Sequence, residues 1–234
     1  MFRYAKFSDY PGEFSHPIET KHYQERFLKD FLPKHCRRRS RVLEVGANIN
    51  VNVLSRLRAK EKWIADPYAG IAGAAETELP DLGPGYIISR CVVGENSDAL
   101  PSGFFDLIFS SSVLEHIGQE AAGFNCGHTV DPPEGQEAPR RAFCAECFRL
   151  LKPGGVTVHT IDHAVRNVSY DANFRGAGFV PLVEGETINV RRMMDDPEAL
   201  RQSVTWKRPP EPMTPEQMRL HSVLLVGYRK PGTR

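Results

Sequence analysis

Arg41-Val42-Leu43-Glu44-Val45-Gly46-Ala47-Asn48 reads as a short apolar strand that carries an acid near its end and breaks at a glycine. Twenty residues past Gly46, a second apolar run, Trp63-Ile64-Ala65, ends in Asp66. In an open α/β sheet this order puts two carboxylates and a turn backbone at the carboxyl edge of neighbouring strands, where nucleoside ligands bind. The second acid has the reach and acceptor geometry to grip a ribose diol. A nucleoside-containing cofactor is therefore expected. Glu44 sits in a strand that otherwise reads Val-Leu-Val, and burying it without partners is costly, which favours a site role. Asp66 has a plainer alternative, the capping of a turn before Pro67.

Outward from this unit, the chain alternates strands and helices. Tyr23, Phe27, Leu28 and Phe31 mark one face of a helix that ends before Pro33. The first eighteen residues show no clear period. A helix is expected from about Asn52 to Lys60, another over Ala69 to Glu78, and strands at 86–93 and 105–109. Phe143, Cys147, Leu150 and Leu151 predict a helix over 141–151, which Lys152-Pro153-Gly154-Gly155 stops. A strand at 156–161 follows, then a helix and strand within 165–183 and a last strand at 222–228. Strands alternating with helices predict a doubly wound, mostly parallel sheet in a single α/β domain over residues 1–234. Residues 1–40 would cap it, and 119–140 and 186–220 would be insertions over the substrate edge.

The 234 residues are 41% hydrophobic and 25% charged, with net charge +1. No whole-molecule field selects nucleic acid or an anionic membrane. No apolar run approaches spanning length, and the start lacks a secretory hydrophobic region. Five scattered cysteines suit a reducing cytoplasm. Arg37, Arg38, Arg39 and Arg41 precede the first strand of the unit, so they read as a solvated face at the opposite edge.

The order "VLEVGAN", "IADPYAG", "FFDLIFSSSVLEHI", "RLLKPGG", "AGFVPLV" and "SVLLVGYRKPG" resembles the class I S-adenosylmethionine-dependent methyltransferases, over roughly residues 40 to 230. The resemblance implies a Rossmann-like, seven-stranded sheet whose last strand is antiparallel, and S-adenosylmethionine as cofactor. It also implies that Glu44, Gly46, Ala47 and Asn48 form the first-strand site and Asp66 the ribose clamp. Glu95, or Asp98 as a second choice, would lie near adenine, and Ser110 and Ser111 by the end of strand four. In the first turn, Asn48 and Asn50 stand where the family carries further glycines. Asparagine enters the left-handed region readily but keeps a side chain.

Methyl transfer is an in-line displacement at a sulfonium, so the protein mainly aligns nucleophile and methyl group. A hydroxyl acceptor also needs a base, and histidine titrates near the working pH. Asp162 and His163 are the first choice of catalytic pair, with His116 as a further candidate and His159 lining the acceptor side. The expected acceptor is a small molecule, a sugar or secondary metabolite methylated on oxygen. Cys126, His128, Cys144 and Cys147 could be imagined around zinc, but Cys144 and Cys147 fall on an apolar helix face, so no metal is expected. Two other readings use the same residues: an inactive methyltransferase fold acting through a protein partner, and a nicotinamide-binding dehydrogenase.

Overall fold

A computed structural model describes residues 1–14, 20–47, 51–68, 82–118, 135–162, 167–183, 188–201 and 222–232. Its strands are β1 (Phe2–Tyr4), β2 (Arg41–Val45), β3 (Glu61–Ala65), β4 (Tyr86–Ser89), β5 (Phe105–Ser111), β6 (Leu151–Ile161), β7 (Val180–Pro181) and β8 (Leu224–Arg229). The helices are α1 (Thr20–Phe31), α2 (Glu137–Leu150), α3 (Tyr170–Gly176) and α4 (Val190–Asp195).

All eight strands form one sheet in the order β1-β8-β6-β5-β2-β3-β4, with β7 also pairing β8. β2 pairs in parallel with both β3 and β5. From β2 the chain builds outward to β3 and β4, then returns to place β5 on the other side. Strand order therefore reverses between β2 and β5, and the carboxyl edge at such a reversal is where open α/β sheets bind ligands. β8 runs antiparallel to β6, as expected of the last strand.

Strand alternation divides the core between the two faces. Leu43, Val45, Phe105 and Ile108 pack with Phe143, Cys144, Cys147 and Leu150 of α2 and Phe174 of α3. Val42, Leu107, Phe109, Val156 and Val158 pack with Tyr23, Phe27 and Leu28 of α1. Helices on both faces explain why the strands read as nearly continuous apolar runs.

Three expectations change. The sheet has eight strands rather than seven, because Phe2–Tyr4 adds to the β8 edge with Phe2 opposite Val226. Three residues are too few to display a period. The helix expected from Asn52 to Lys60 is a single 3-10 turn, Leu54–Arg56, followed by extended Leu57. β-branched Val51 and Val53 weaken a helix, and Arg56 and Lys60 would repel at i, i+4. The strand expected over 86–93 stops at Ser89. The Ala69–Glu78 helix lies outside the described residues, as do most of the insertions at 119–140 and 186–220. Among the described residues, no helix is long and apolar enough to cross a membrane.

Candidate active site

β2 delivers Glu44 to the α1 face of the sheet, and burial governs its chemistry. The side chain is enclosed, and Oε2 has no hydrogen-bond partner among the described residues. Burial pushes its pKa up to about 8; Glu25 and Asp66 add to the rise, and Lys21 opposes it. The carboxyl is therefore mostly neutral at pH 7, with one oxygen facing no partner. An arriving ammonium would satisfy that oxygen and restore the charge.

Directly after Glu44 and Val45 the chain turns at Gly46, with φ at +69°. A Cβ on Gly46 would stand 2.5 Å from Val113 Cγ2. The glycine is thus required by both its backbone angle and the close approach of the segment after β5. Ala47 is buried beside it, and Asn48 lies outside the described residues. β3 hands over to Asp66, which is buried and accepts the Tyr68 amide on Oδ1 at 2.9 Å. That bond is the turn cap across Pro67, and it fixes the carboxylate at the strand end. Glu44 and Asp66 are near enough for their charges to interact.

β5 ends in Ser110 and Ser111, and Ser112 follows it; the three serines have different fates. Ser111 faces α1, where Lys21 Nζ lies 3.2 Å from its Oγ. Ser110 faces the opposite way, as alternation requires, and its Oγ lies 2.7 Å from His159 Nδ1. Ser112 adopts a positive φ of 53° and donates its amide to Thr160 O at 3.0 Å. Beyond it, Glu115 and His116 occupy a short 3-10 turn, Leu114–His116. Glu115 is buried, and burial together with Asp162 holds its carboxyl well above the usual range. His116 is half-buried at the rim.

At the end of β6, Asp162 accepts Gln24 Nε2 at 2.7 Å and Ser112 Oγ at 3.1 Å. Burial raises its pKa, while hydrogen bonds from Thr20 and Ser112 and the charges of Lys21 and His116 lower it. His163 lies outside the described residues. The structure therefore gathers Glu44, Asp66, Ser111, His116 and Asp162 at one edge.

His159 and Ser110 are placed elsewhere. His159 is fully buried, with Nε2 2.6 Å from Thr157 Oγ1, its ring stacked on Phe174 and edge-on to Phe143. Both ring nitrogens are engaged inside the core, so it is not an acceptor-lining group. Burial pushes its pKa down to about 3. Its stabilising effect is complete above pH 6.5 and is lost as pH falls toward 3. Replacing it, His159→Phe, removes both ring hydrogen bonds and strands the Ser110 hydroxyl at about 1–3 kcal/mol, while Thr157 keeps its contact with Cys147. Thermal unfolding is expected to show that loss, with S-adenosylhomocysteine affinity unchanged by calorimetry. Glu95 stands exposed on the turn after β4, where Gly94 packs tightly on the Phe143 backbone.

Cys144 and Cys147 are buried on α2, where burial raises both thiols. Cys126 and His128 lie outside the described residues.

Lys21, Gln24, Ser112 and Glu115 are site groups that the pattern alone did not single out. Gln24 carried a signal: it sits on the α1 stripe with Tyr23, Phe27 and Leu28, a polar residue where an apolar one belongs.

The reversed strand order, the glycine turn and the paired acids define a class I S-adenosylmethionine-dependent methyltransferase fold. A sequence family described as a methyltransferase domain matches residues 43–159, half of the chain, and the chain belongs to that family. S-adenosylmethionine is accordingly its cofactor. No curated protein sequence matches the chain significantly. The [4+2]-cyclase SpnF is similar in structure, with TM-score 0.55 at 14% identity, covering 94% of this chain and 86% of that one. The N-methyltransferase NodS from Bradyrhizobium japonicum, complexed with S-adenosylhomocysteine, gives 0.51 at 14%, covering 91% and 86%. The 1,6-didemethyltoxoflavin-N1-methyltransferase of Burkholderia thailandensis gives 0.50 at 17%, covering 91% and 80%. At these identities the likeness shows the fold alone.

Proposed function

We propose that this methyltransferase acts in the cytoplasm on a hydroxyl of a small molecule, a sugar or secondary metabolite. The carrying observation is the polar set at the carboxyl edge of β2, β5 and β6. Glu44 and Asp66 stand on one side, and Asp162, Ser111, Ser112 and half-buried His116 on the other.

Glu44 would take the methionine ammonium of the cofactor on its orphaned oxygen, and Asp66 the ribose hydroxyls. Gly46, Ala47 and Asn48 would supply the turn that admits the methionine end, and Glu95 would flank adenine. When bound, the cofactor supplies a methyl group activated on sulfonium. The chain's own work is alignment and proton removal. His116 or His163 would accept the acceptor's hydroxyl proton, and Asp162 would orient the acceptor. Segments 1–40, 119–140 and 186–220 would shape acceptor choice, as connections at a sheet's carboxyl edge do.

Incubation with methyl-labelled S-adenosylmethionine and a cell extract separated by mass tests this. Label is expected in a low-mass product, on oxygen by fragmentation. Label in RNA or protein, or on nitrogen, contradicts the reading.

A further inference from the structure

Lys21 of α1 reaches the end of β5. Its ammonium donates to Ser111 Oγ at 3.2 Å and to Ser111 O at 3.4 Å. Both contacts are long for hydrogen bonds, and an ammonium carries three hydrogens. Among the described residues no carboxylate comes within ion-pair distance of it. Glu25, one turn further along α1, is taken by Lys29 at 2.9 Å. Asp162 is taken by Gln24 and Ser112. Lys21 therefore keeps donating capacity at the carboxyl edge.

Glu44 stands on the same face of the sheet, one strand away. Phe109 packs toward α1, and Glu44 lies opposite it in the parallel register. Ser111 is two residues beyond Phe109, so alternation turns it to that face as well. From strand spacing and rise, the Glu44 and Ser111 α-carbons are about 8 Å apart. The Lys21 charge acts on Glu44, yet the two side chains make no ion pair. Glu44 Oε2 also has no hydrogen-bond partner among the described residues. A carboxyl with an idle acceptor and an ammonium with an idle donor thus flank the strand reversal. They are close enough to feel each other and too far apart to bond.

The methionine end of the cofactor carries an ammonium and a carboxylate on one carbon atom. An ammonium delivered to Glu44 brings that carboxylate with it, and leaving a charge unpaired in a buried site is costly. Lys21 is the cation within reach of Glu44. We infer that Lys21 binds the cofactor's carboxylate, so that Glu44 and Lys21 together clamp a zwitterionic amino-acid end. This rests on the reading that Glu44 takes the ammonium. Lys21 lies outside residues 43–159, which match the methyltransferase family, so α1 supplies this half of the clamp.

Calorimetry at pH 7 compares S-adenosylhomocysteine with its decarboxylated analogue, which keeps the ammonium and lacks the carboxylate. The wild type is expected to favour S-adenosylhomocysteine about 10- to 100-fold, the worth of a charge-assisted hydrogen bond. Lys21→Met keeps the aliphatic stem and is expected to lose that preference by weakening S-adenosylhomocysteine alone. Lys21→Gln, which retains a donor for Ser111, repeats the test in a second background. Lys21→Arg keeps the charge and is expected to retain most of the preference.

A lysine that merely supports the charge of Glu44 would act on both ligands alike, since both carry the ammonium. Equal weakening of the two ligands, a preference that survives in Lys21→Met and Lys21→Gln, or a wild type that binds both equally overturns the proposal. Glu44→Gln separates the two claims, because it should weaken both ligands and leave the preference between them. Weakening by Glu44→Gln without any wild-type preference removes the Lys21 proposal alone. A preference lost with Lys21 while Glu44→Gln weakens neither ligand removes the ammonium reading and upholds the role of Lys21.

Discussion

Glu44→Gln is expected to stabilise the cofactor-free protein while weakening its grip on S-adenosylhomocysteine about 10- to 100-fold. On the proposed reading the two effects have opposite signs, because the buried Glu44 carboxyl would gain its partner only from the ligand. Its folded pKa of about 8 lies above the ordinary 4.5, chiefly through burial. The stability it contributes is therefore complete below about pH 4.5 and is lost as pH rises toward 8. Across that window the loss runs at about 1.4 kcal/mol per pH unit. A neutral amide escapes this loss, so the melting temperature of Glu44→Gln should exceed that of the wild type at pH 8 and converge with it near pH 4.5. Binding should suffer because a charge-assisted hydrogen bond, worth about 1.5–3 kcal/mol, becomes a neutral one. A variant that lost stability at pH 8 would show that a cation within the protein already pairs with Glu44.

Gly46→Ala carries the second large effect, and both of its costs are visible in the geometry. The added Cβ enters a backbone held at φ +69° and stands 2.5 Å from Val113 Cγ2. Strain at a left-handed position costs about 1–3 kcal/mol, and overpacking costs a similar amount. The expected loss is about 2–4 kcal/mol in denaturant unfolding, with cofactor binding abolished because the turn moves. Adding Val113→Ala removes the contact but not the backbone strain. The double variant should recover about half of the lost stability and little of the binding. Full recovery by Val113→Ala would mean that the turn tolerates a side chain at this angle.

Much of this architecture was legible because it rests on strong local patterns. The apolar run Arg41–Val45, its terminal break at Gly46 and the acid after Ala65 fix two neighbouring parallel strands. The stripe Phe143, Cys147 and Leu150 fixes α2 against them. β1 was not legible, since its pairing with β8 is set by distant residues. Nor was the collapse of the 52–60 helix to one turn, where buried Val53, Leu54 and Leu57 mimic a helical stripe.

The site was legible where chemistry follows strand ends and illegible where it follows strand faces. Ser110 and Ser111 look alike in sequence, yet one meets His159 in the core and the other meets Lys21. His159 and Asp162 are likewise three residues apart on β6 and its end, but the first is sealed between Phe143 and Phe174. Which face a strand turns toward the site depends on where α1 docks. That docking is a tertiary event, and Gln24 records it in sequence only as a polar residue on an apolar stripe.

The central claim is that the Glu44 carboxyl receives the cofactor's ammonium. Calorimetric titration of S-adenosylhomocysteine at pH 7, in two buffers of different ionisation enthalpy, tests it most directly. The account predicts binding with release of close to one proton by the wild type, and a release that disappears in Glu44→Gln. No binding, or binding with the same proton release in both proteins, would contradict it.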